Sequence, residues 1–166
     1  MPRQKPGKSK QNYATPSVFI ADVEHRFGYL EVDLAATRFN KKAPIYYTPQ
    51  KNSLAQTWVE TKADRAKRFW LNPPYAHLWP WLRKCNREQF ALSSGQILVL
   101  VPASVGSTWF EKYVWRKASI YFLEGRLCFV DDEPYPKDLM LLCYQAPRLP
   151  VTISIWDWKA DILYKQ

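Results

Sequence analysis

Two periodicities alternate along this chain. Over 15–28, Phe19, Val23 and Phe27 recur at helical spacing. Thr15 stands where an N-cap belongs, Pro16 suits a first turn and Gly28 a C-terminal stop, so the stretch predicts a helix. Over 29–36, Leu30 and Val32 alternate with Glu31 and Asp33 before the chain turns to small residues. That pattern predicts a strand ending in an acid. The polar stretch 37–53 is broken by Pro44 and Pro49 and leaves room for a short strand at 45–48. Residues 53–68 read as helical or irregular, and their basic end leads into an apolar strand at 68–71.

Beyond residue 76 the alternation continues. A helix is expected over 77–95, with Trp81, Cys85 and Gln89 on one side. The unbroken apolar run 96–103 is the mark of a strand covered on both faces, as in a parallel sheet. An amphipathic helix follows over 107–118, with Thr108 and Glu111 spaced as a capping box. Residues 119–130 read as strand, turn at Glu124–Gly125, strand; 138–144 is another apolar strand and 151–158 the last. Strands alternating with helices predict an α/β fold with a mostly parallel sheet and an antiparallel edge from the hairpin-like final pieces. No repeat or linker divides 13–166, which is expected to form one domain behind a basic, disordered arm at 1–12.

Composition narrows the function classes. No apolar run approaches the roughly 18 residues that cross a bilayer, and no apolar stretch follows the basic N-terminus as in a secretory signal. The three cysteines lack disulfide or metal-ligand spacing and there are only two histidines, so reduced thiols and no metal are expected. The formal net charge is +9, which favours a polyanionic partner over a merely solvated surface. Aromatic residues make up 16% of the chain, and aromatic faces accept stacked bases, although most rings belong in the core.

The stretch Asn72-Pro73-Pro74-Tyr75 stands at the predicted carboxyl end of the 68–71 strand. Open α/β sheets bind ligands at those ends, and Asp33 falls at another of them. A residue preceding proline is held extended, and the prolines lack an N–H and have fixed φ. The loop is therefore stiff, with the Asn72 side-chain oxygen and the Pro73 carbonyl able to converge on one spot beside the Tyr75 ring. Two acceptors beside an aromatic face suit a planar group bearing an amine. Accepting both amine hydrogens draws the nitrogen toward tetrahedral geometry and frees its lone pair for an electrophile held in line. Much of the rate would then come from positioning.

These residues carry a family resemblance. The ordered set TPSVF, EVDLAATRFN, Trp58, WLNPPY, LVPASVGSTWF and EGRLCF resembles the bacteriophage-type DNA N6-adenine methyltransferases, from about Tyr13 to Tyr144. The resemblance implies a Rossmann-like, S-adenosylmethionine-dependent methyltransferase fold acting on DNA, in the cytoplasm (of the host cell, if phage-encoded). It implies that Asp33, Ala35 and Ala36 bind the cofactor's methionine part, with Thr15, Pro16 and Asn40 lining the same cleft. Asn72 and Pro73 would hold the target amine, in the motif completed by Pro74, and Tyr75 would stack on the base. One departure is the missing glycine-rich loop: Ala35-Ala36 stand in its place, and alanine lets a backbone approach a cofactor less closely. Since a paired base is out of reach, the target must be flipped out or already single-stranded.

Blander roles stand beside these. Asn-Pro-Pro-Tyr also makes an ordinary polyproline turn, and Asp33 can simply cap the next turn. Arg68 and Arg126 are candidate phosphate ligands, yet each also suits a solvated surface. Trp79 and Trp81 fit packing better than base stacking, and His77 is a bystander because no catalytic base is needed. The alternatives in function are N4-cytosine or RNA adenine methylation, and a non-catalytic nucleic-acid binder that has kept the fold.

Overall fold

The computed structural model describes residues 13–129 and 133–159. The expected arm at 1–12 lies outside them. Seven strands form one sheet: β1 Val32–Asp33, β2 Ile45–Tyr46, β3 Arg68–Leu71, β4 Gln96–Pro102, β5 Ser119–Leu123, β6 Leu139–Gln145 and β7 Ile153–Trp156. Their order is β2-β1-β3-β4-β6-β5-β7. Six of the strands run one way; β6 alone runs against its neighbours β4 and β5. The sheet is thus mostly parallel, as the sequence predicts. Its reversed strand lies inside the sheet rather than at the margin, because β6 pairs with β4 on one side and β5 on the other.

Three helices flank the sheet: α1 Ser17–Phe27, α2 Leu78–Glu88 and α3 Thr108–Tyr113. Period-two alternation explains the uninterrupted apolar run of β4. Ile97, Val99 and Val101 enter the core beneath α2 and α3, while Leu98 and Leu100 enter the core beneath α1. β6 divides in the same way, with Met140, Leu142 and Tyr144 opposite Leu139, Leu141 and Cys143. Each such side chain taken from water contributes about 1.5–3 kcal/mol. Central strands with both faces buried therefore fix the frame on which the loops sit.

Several local expectations change. Pro16, not Thr15, is the N-cap of α1, and Gly28 closes the helix with φ 98°. A Cβ on Gly28 would lie 2.8 Å from the Arg68 guanidinium. α3 is only six residues long and its N-cap is Ser107, so Thr108 is already inside the helix and makes no capping box. Ser107 Oγ donates instead to the Ser104 carbonyl, at 2.6 Å. Of the two readings of 53–68 the irregular one holds, with short 3-10 turns at Ser53–Ala55 and Asp64–Ala66. The hairpin expected over 119–130 forms only its first strand; past the turn at Gly125 the chain makes a single bridge between Cys128 and Pro134. Among the described residues, no helix is long and apolar enough to cross a membrane.

Candidate active site

The strand order places the site. From β1 the chain moves outward to β2, then returns past β1 to β3 on its other side. Ligand crevices open where the order reverses, outside the carboxyl ends of the two strands. Here those ends carry Asp33 and Asn72. Asp33 pairs in register with Trp70, two residues short of Asn72. From ordinary strand spacing and rise, the two Cα atoms lie about 8 Å apart. Both residues line one cavity of about 390 Å³, within the size range of small-molecule sites.

Asn72 is oriented from a distance. Its Nδ2 donates to the Tyr13 carbonyl at 2.6 Å and to Thr15 Oγ1 at 3.0 Å. A backbone carbonyl only accepts, so the amide nitrogen must face it. Both Nδ2 protons are thereby engaged, which fixes the plane of the amide and leaves its oxygen as the acceptor. Thr15, buried and without a capping role, thus helps set the amide of a residue 57 positions away. Pro74 lines the cavity beside Asn72, whereas Pro73 is buried behind it and supplies no lining side chain.

Asp33 holds the turn that follows it, the plainer of its two sequence readings, and also faces the cavity. Oδ1 accepts from the Ala35 N–H at 3.2 Å and Oδ2 from the Lys42 N–H at 2.9 Å, so the carboxylate ties down the loop that follows β1. A carboxylate has about four acceptor positions, which leaves capacity toward the cavity. Burial pushes the Asp33 carboxyl above its usual range, opposed by those two hydrogen bonds and by the charge of Lys42. Burial likewise holds the Lys42 ammonium below its usual range, against the attraction of Asp33. For both partners burial outweighs the mutual attraction.

Ala35, Ala36, Thr15 and Asn40 line the same cavity; Pro16 does not, although it adjoins Thr15. Outside glycine, the only described residues with positive φ are Asn52 and Arg116. The turn after Asp33 therefore requires no left-handed residue, and alanine serves where a glycine loop was missed. Ala36 donates to the Tyr47 carbonyl at 2.9 Å, which extends the β1–β2 ladder past Asp33. The Asn40 carboxamide oxygen accepts from the Thr37 N–H at 2.6 Å and from Thr37 Oγ1 at 3.0 Å, closing the rim.

Tyr75 departs from expectation. Its ring does not line the cavity; it packs against Tyr13 with centroids 5.8 Å apart and planes at 28°. Tyr135 and Phe129 close around it at 5.6 and 6.4 Å. Its hydroxyl is buried and has no hydrogen-bond partner among the described residues, and burial, with Tyr135 and Tyr13 nearby, raises its pKa well above the ordinary value. Arg68 heads β3, at the opposite end of the strand from Asn72, with its guanidinium against Gly28. It does not reach the cavity. Arg126 is exposed in the loop after β5, which leaves the sheet on the same side as the Asn72 loop.

The structure adds residues that the sequence did not single out. Tyr47, Asn52, Ser53, Leu54 and Trp70 join the cavity wall, and Trp81, read from sequence as a packing residue, lines it as well. The Ser53 segment is anchored by Trp58, whose Nε1 donates to the Ser53 carbonyl at 2.9 Å and to Ser53 Oγ at 3.1 Å. Glu88 in turn accepts from the Trp58 and Val59 N–H groups, both at 3.2 Å, and from Lys84 Nζ at 2.9 Å. Outside the cavity, Arg38 lies over the Phe39 ring at 4.9 Å and Lys41 over Tyr46 at 4.7 Å. Phe39 is 86% exposed. Basic and aromatic side chains thus alternate along this rim. Among the described residues, no three His, Cys, Asp or Glu side chains are grouped as metal ligands would be.

Comparison with known proteins bears on this site. Residues 3–138 match the model of a family described as DNA N-6-adenine-methyltransferase (Dam). A protein of Escherichia phage T1, named DNA N-6-adenine-methyltransferase, is 28% identical over 143 residues, covering 77% of this chain. The match spans only 57% of that relative's length. Among solved structures, a predicted O-methyltransferase from Agrobacterium tumefaciens aligns with a TM-score of 0.45 at 12% identity, over 84% of this chain and 85% of that one. A release-factor-specific protein-(glutamine-N5) methyltransferase from Alicyclobacillus acidocaldarius aligns with a TM-score of 0.39 at 13% identity, over 78% and 91%.

Proposed function

Because the chain belongs to the DNA N-6-adenine-methyltransferase (Dam) family, we propose that it transfers a methyl group from S-adenosylmethionine to the N6 amine of adenine in DNA. The observation that carries the proposal is the locked amide of Asn72, set on the wall of the cavity that also holds Asp33. An amide turned this way presents its oxygen to an incoming amine. With the Pro73 carbonyl it accepts both N6 hydrogens and localises the nitrogen lone pair, so no general base is needed before attack. The proton lost on methylation passes afterwards to solvent.

The cavity suits the donor. A buried acid at its end complements a cationic amino-acid portion, the small Ala35 and Ala36 leave room beside it, and Leu54, Trp70 and Trp81 offer apolar walls for a planar ring. When bound, S-adenosylmethionine supplies an electrophilic methyl group carried on a sulfonium. Asp33, Ala35, Ala36, Thr15 and Asn40 hold it, with Pro16 supporting Thr15 from the start of α1. Asn72 and Pro73 bind the target amine, and the Pro74–Tyr75 pair stiffens and lines the base site.

DNA is held mainly through its phosphates, in a salt-dependent way, by the chain's +9 excess. Arg126 lies on the appropriate side of the sheet, and the Arg38–Lys41 rim is added to it. Arg68 is withdrawn to the far end of β3 and serves packing. The substrate so proposed is DNA in the cytoplasm, that of the host cell if the chain is phage-encoded.

Nucleoside mass spectrometry of plasmid DNA co-expressed with the chain tests the proposal. N6-methyladenine should accumulate with the wild type and not with Asn72→Ala. N4-methylcytosine in its place, or no methylated nucleoside at all, would sink it.

A further inference from the structure

The ring that meets Tyr75 comes from the other end of the chain. Tyr13 sits 5.8 Å from Tyr75, 5.0 Å from Phe129 and 5.4 Å from Tyr135, centroid to centroid. The other three rings lie 5.6 to 6.4 Å from one another. Four aromatic side chains therefore form a closed cluster, in which Tyr13 caps the other three.

A base stacked on Tyr75 needs ring carbons at about 3.5–4.0 Å. A base lying between Tyr75 and Tyr13 would hold their centroids about 7–8 Å apart, twice that gap. The observed 5.8 Å leaves no such space. Tyr13 and a base exclude each other on this face of the ring.

Two further observations mark the closed cluster as a resting arrangement. The Tyr75 hydroxyl is buried without a hydrogen-bond partner among the described residues, a cost to the closed form. Phe129 and Tyr135 are buried, whereas Tyr13 is only half-buried and lines the neighbouring cavity. The Tyr13 carbonyl, which accepts from Asn72 Nδ2, need not move when the ring does.

We infer that the Tyr13 side chain is a placeholder for the target base: it caps the Tyr75–Phe129–Tyr135 cluster in the free protein and yields its place on Tyr75 to an unpaired purine, while its backbone keeps Asn72 oriented. The inference rests on the assignment of Asn72 and Tyr75 to the target base. Entry of the base then displaces a competing ring. The free protein binds nucleosides weakly, and only a base delivered by bound DNA competes well.

The test is a fluorescence titration of the full chain with 2-aminopurine deoxyriboside, whose emission is quenched on stacking. Tyr13→Ala should bind it at least fivefold more tightly than the wild type, with quenching, and Tyr75→Ala should not bind it. A gain below fivefold overturns the placeholder. If Tyr13→Ala does not fold, Tyr13→Leu keeps an apolar contact without a stacking face and is held to the same threshold. Methylation by wild type and Asn72→Ala separates the two failures. If the wild type methylates DNA, Asn72→Ala does not, and the Tyr13 variants gain nothing, only the placeholder is lost. If Asn72→Ala still methylates adenine, the assignment beneath it falls as well.

Discussion

The substitution Asn72→Asp keeps the side chain's size and its acceptor oxygens but removes the donor that faces Tyr13. In the wild type that donor lies 2.6 Å from the Tyr13 carbonyl and 3.0 Å from Thr15 Oγ1. An ionised carboxylate in its place would point an oxygen at the carbonyl, acceptor against acceptor. The Thr15 hydroxyl can rotate and donate to it, which recovers one contact. Each net hydrogen bond contributes about 1 kcal/mol, and a buried acceptor left unmatched costs about 1–3 kcal/mol. A deficit of about 1–3 kcal/mol expressed in the transition state lowers kcat roughly 5- to 150-fold. The proton changes this balance. A carboxylic acid can donate to the Tyr13 carbonyl, so the variant's activity should recover as pH falls, opposite in direction to the wild type. The assay is initial-rate transfer of tritiated methyl into plasmid DNA across pH, with donor binding measured separately by calorimetry. Activity within twofold of wild type at pH 8, or a loss of donor binding as large as the loss of rate, would refute the orienting role.

Thr15→Val should lower kcat about fivefold with no new pH dependence, since it removes one hydrogen bond worth about 1 kcal/mol and no charge, as the same rate assay would show. Donor affinity should fall as the solution is acidified, because protonation neutralises Asp33. Burial raises that carboxyl's pKa, so the fall should begin at a higher pH than for an ordinary carboxylate and be absent in Asp33→Asn; calorimetry showing a flat profile down to pH 4 contradicts it. Glu88→Ala strands the buried Lys84 ammonium and frees two backbone N–H groups. It should cost about 3–5 kcal/mol in urea unfolding, while the Lys84→Met, Glu88→Leu pair should recover only the part due to the stranded charge, since leucine leaves the two N–H groups unpaired.

The parts of this architecture that could be read from residue order are those in which one side chain's environment follows from its immediate neighbours. The apolar run of β4 had to be buried on both faces, and Asn72 followed by two prolines had to end a strand in a stiff loop. What escaped depends on partners far along the chain. Thr15 has the right chemistry for a helix cap, but the Pro16 backbone takes that position, and the hydroxyl's partner is Asn72 instead. Arg68 looked like a phosphate ligand beside the Asn72 motif. Strand direction carries it to the other end of β3, a separation that four residues in sequence conceal. The reversed β6 sits inside the sheet because it pairs with both β4 and β5, a choice between strands that local pattern does not encode. Tyr75 was legible as aromatic and near the motif; that its ring was already engaged by Tyr13 was not.

The bond between Asn72 and Tyr13 joins groups 59 residues apart. A ribosome adding about 5–20 residues per second needs roughly 3–12 s to travel that distance. During that interval the segment that will later steer the carboxamide has left the peptidyl-transferase centre with nothing to grip. Orientation of the Asn72 amide therefore waits on its own synthesis, and a nascent chain stalled before the diproline emerges carries the fastening but not the group it fastens.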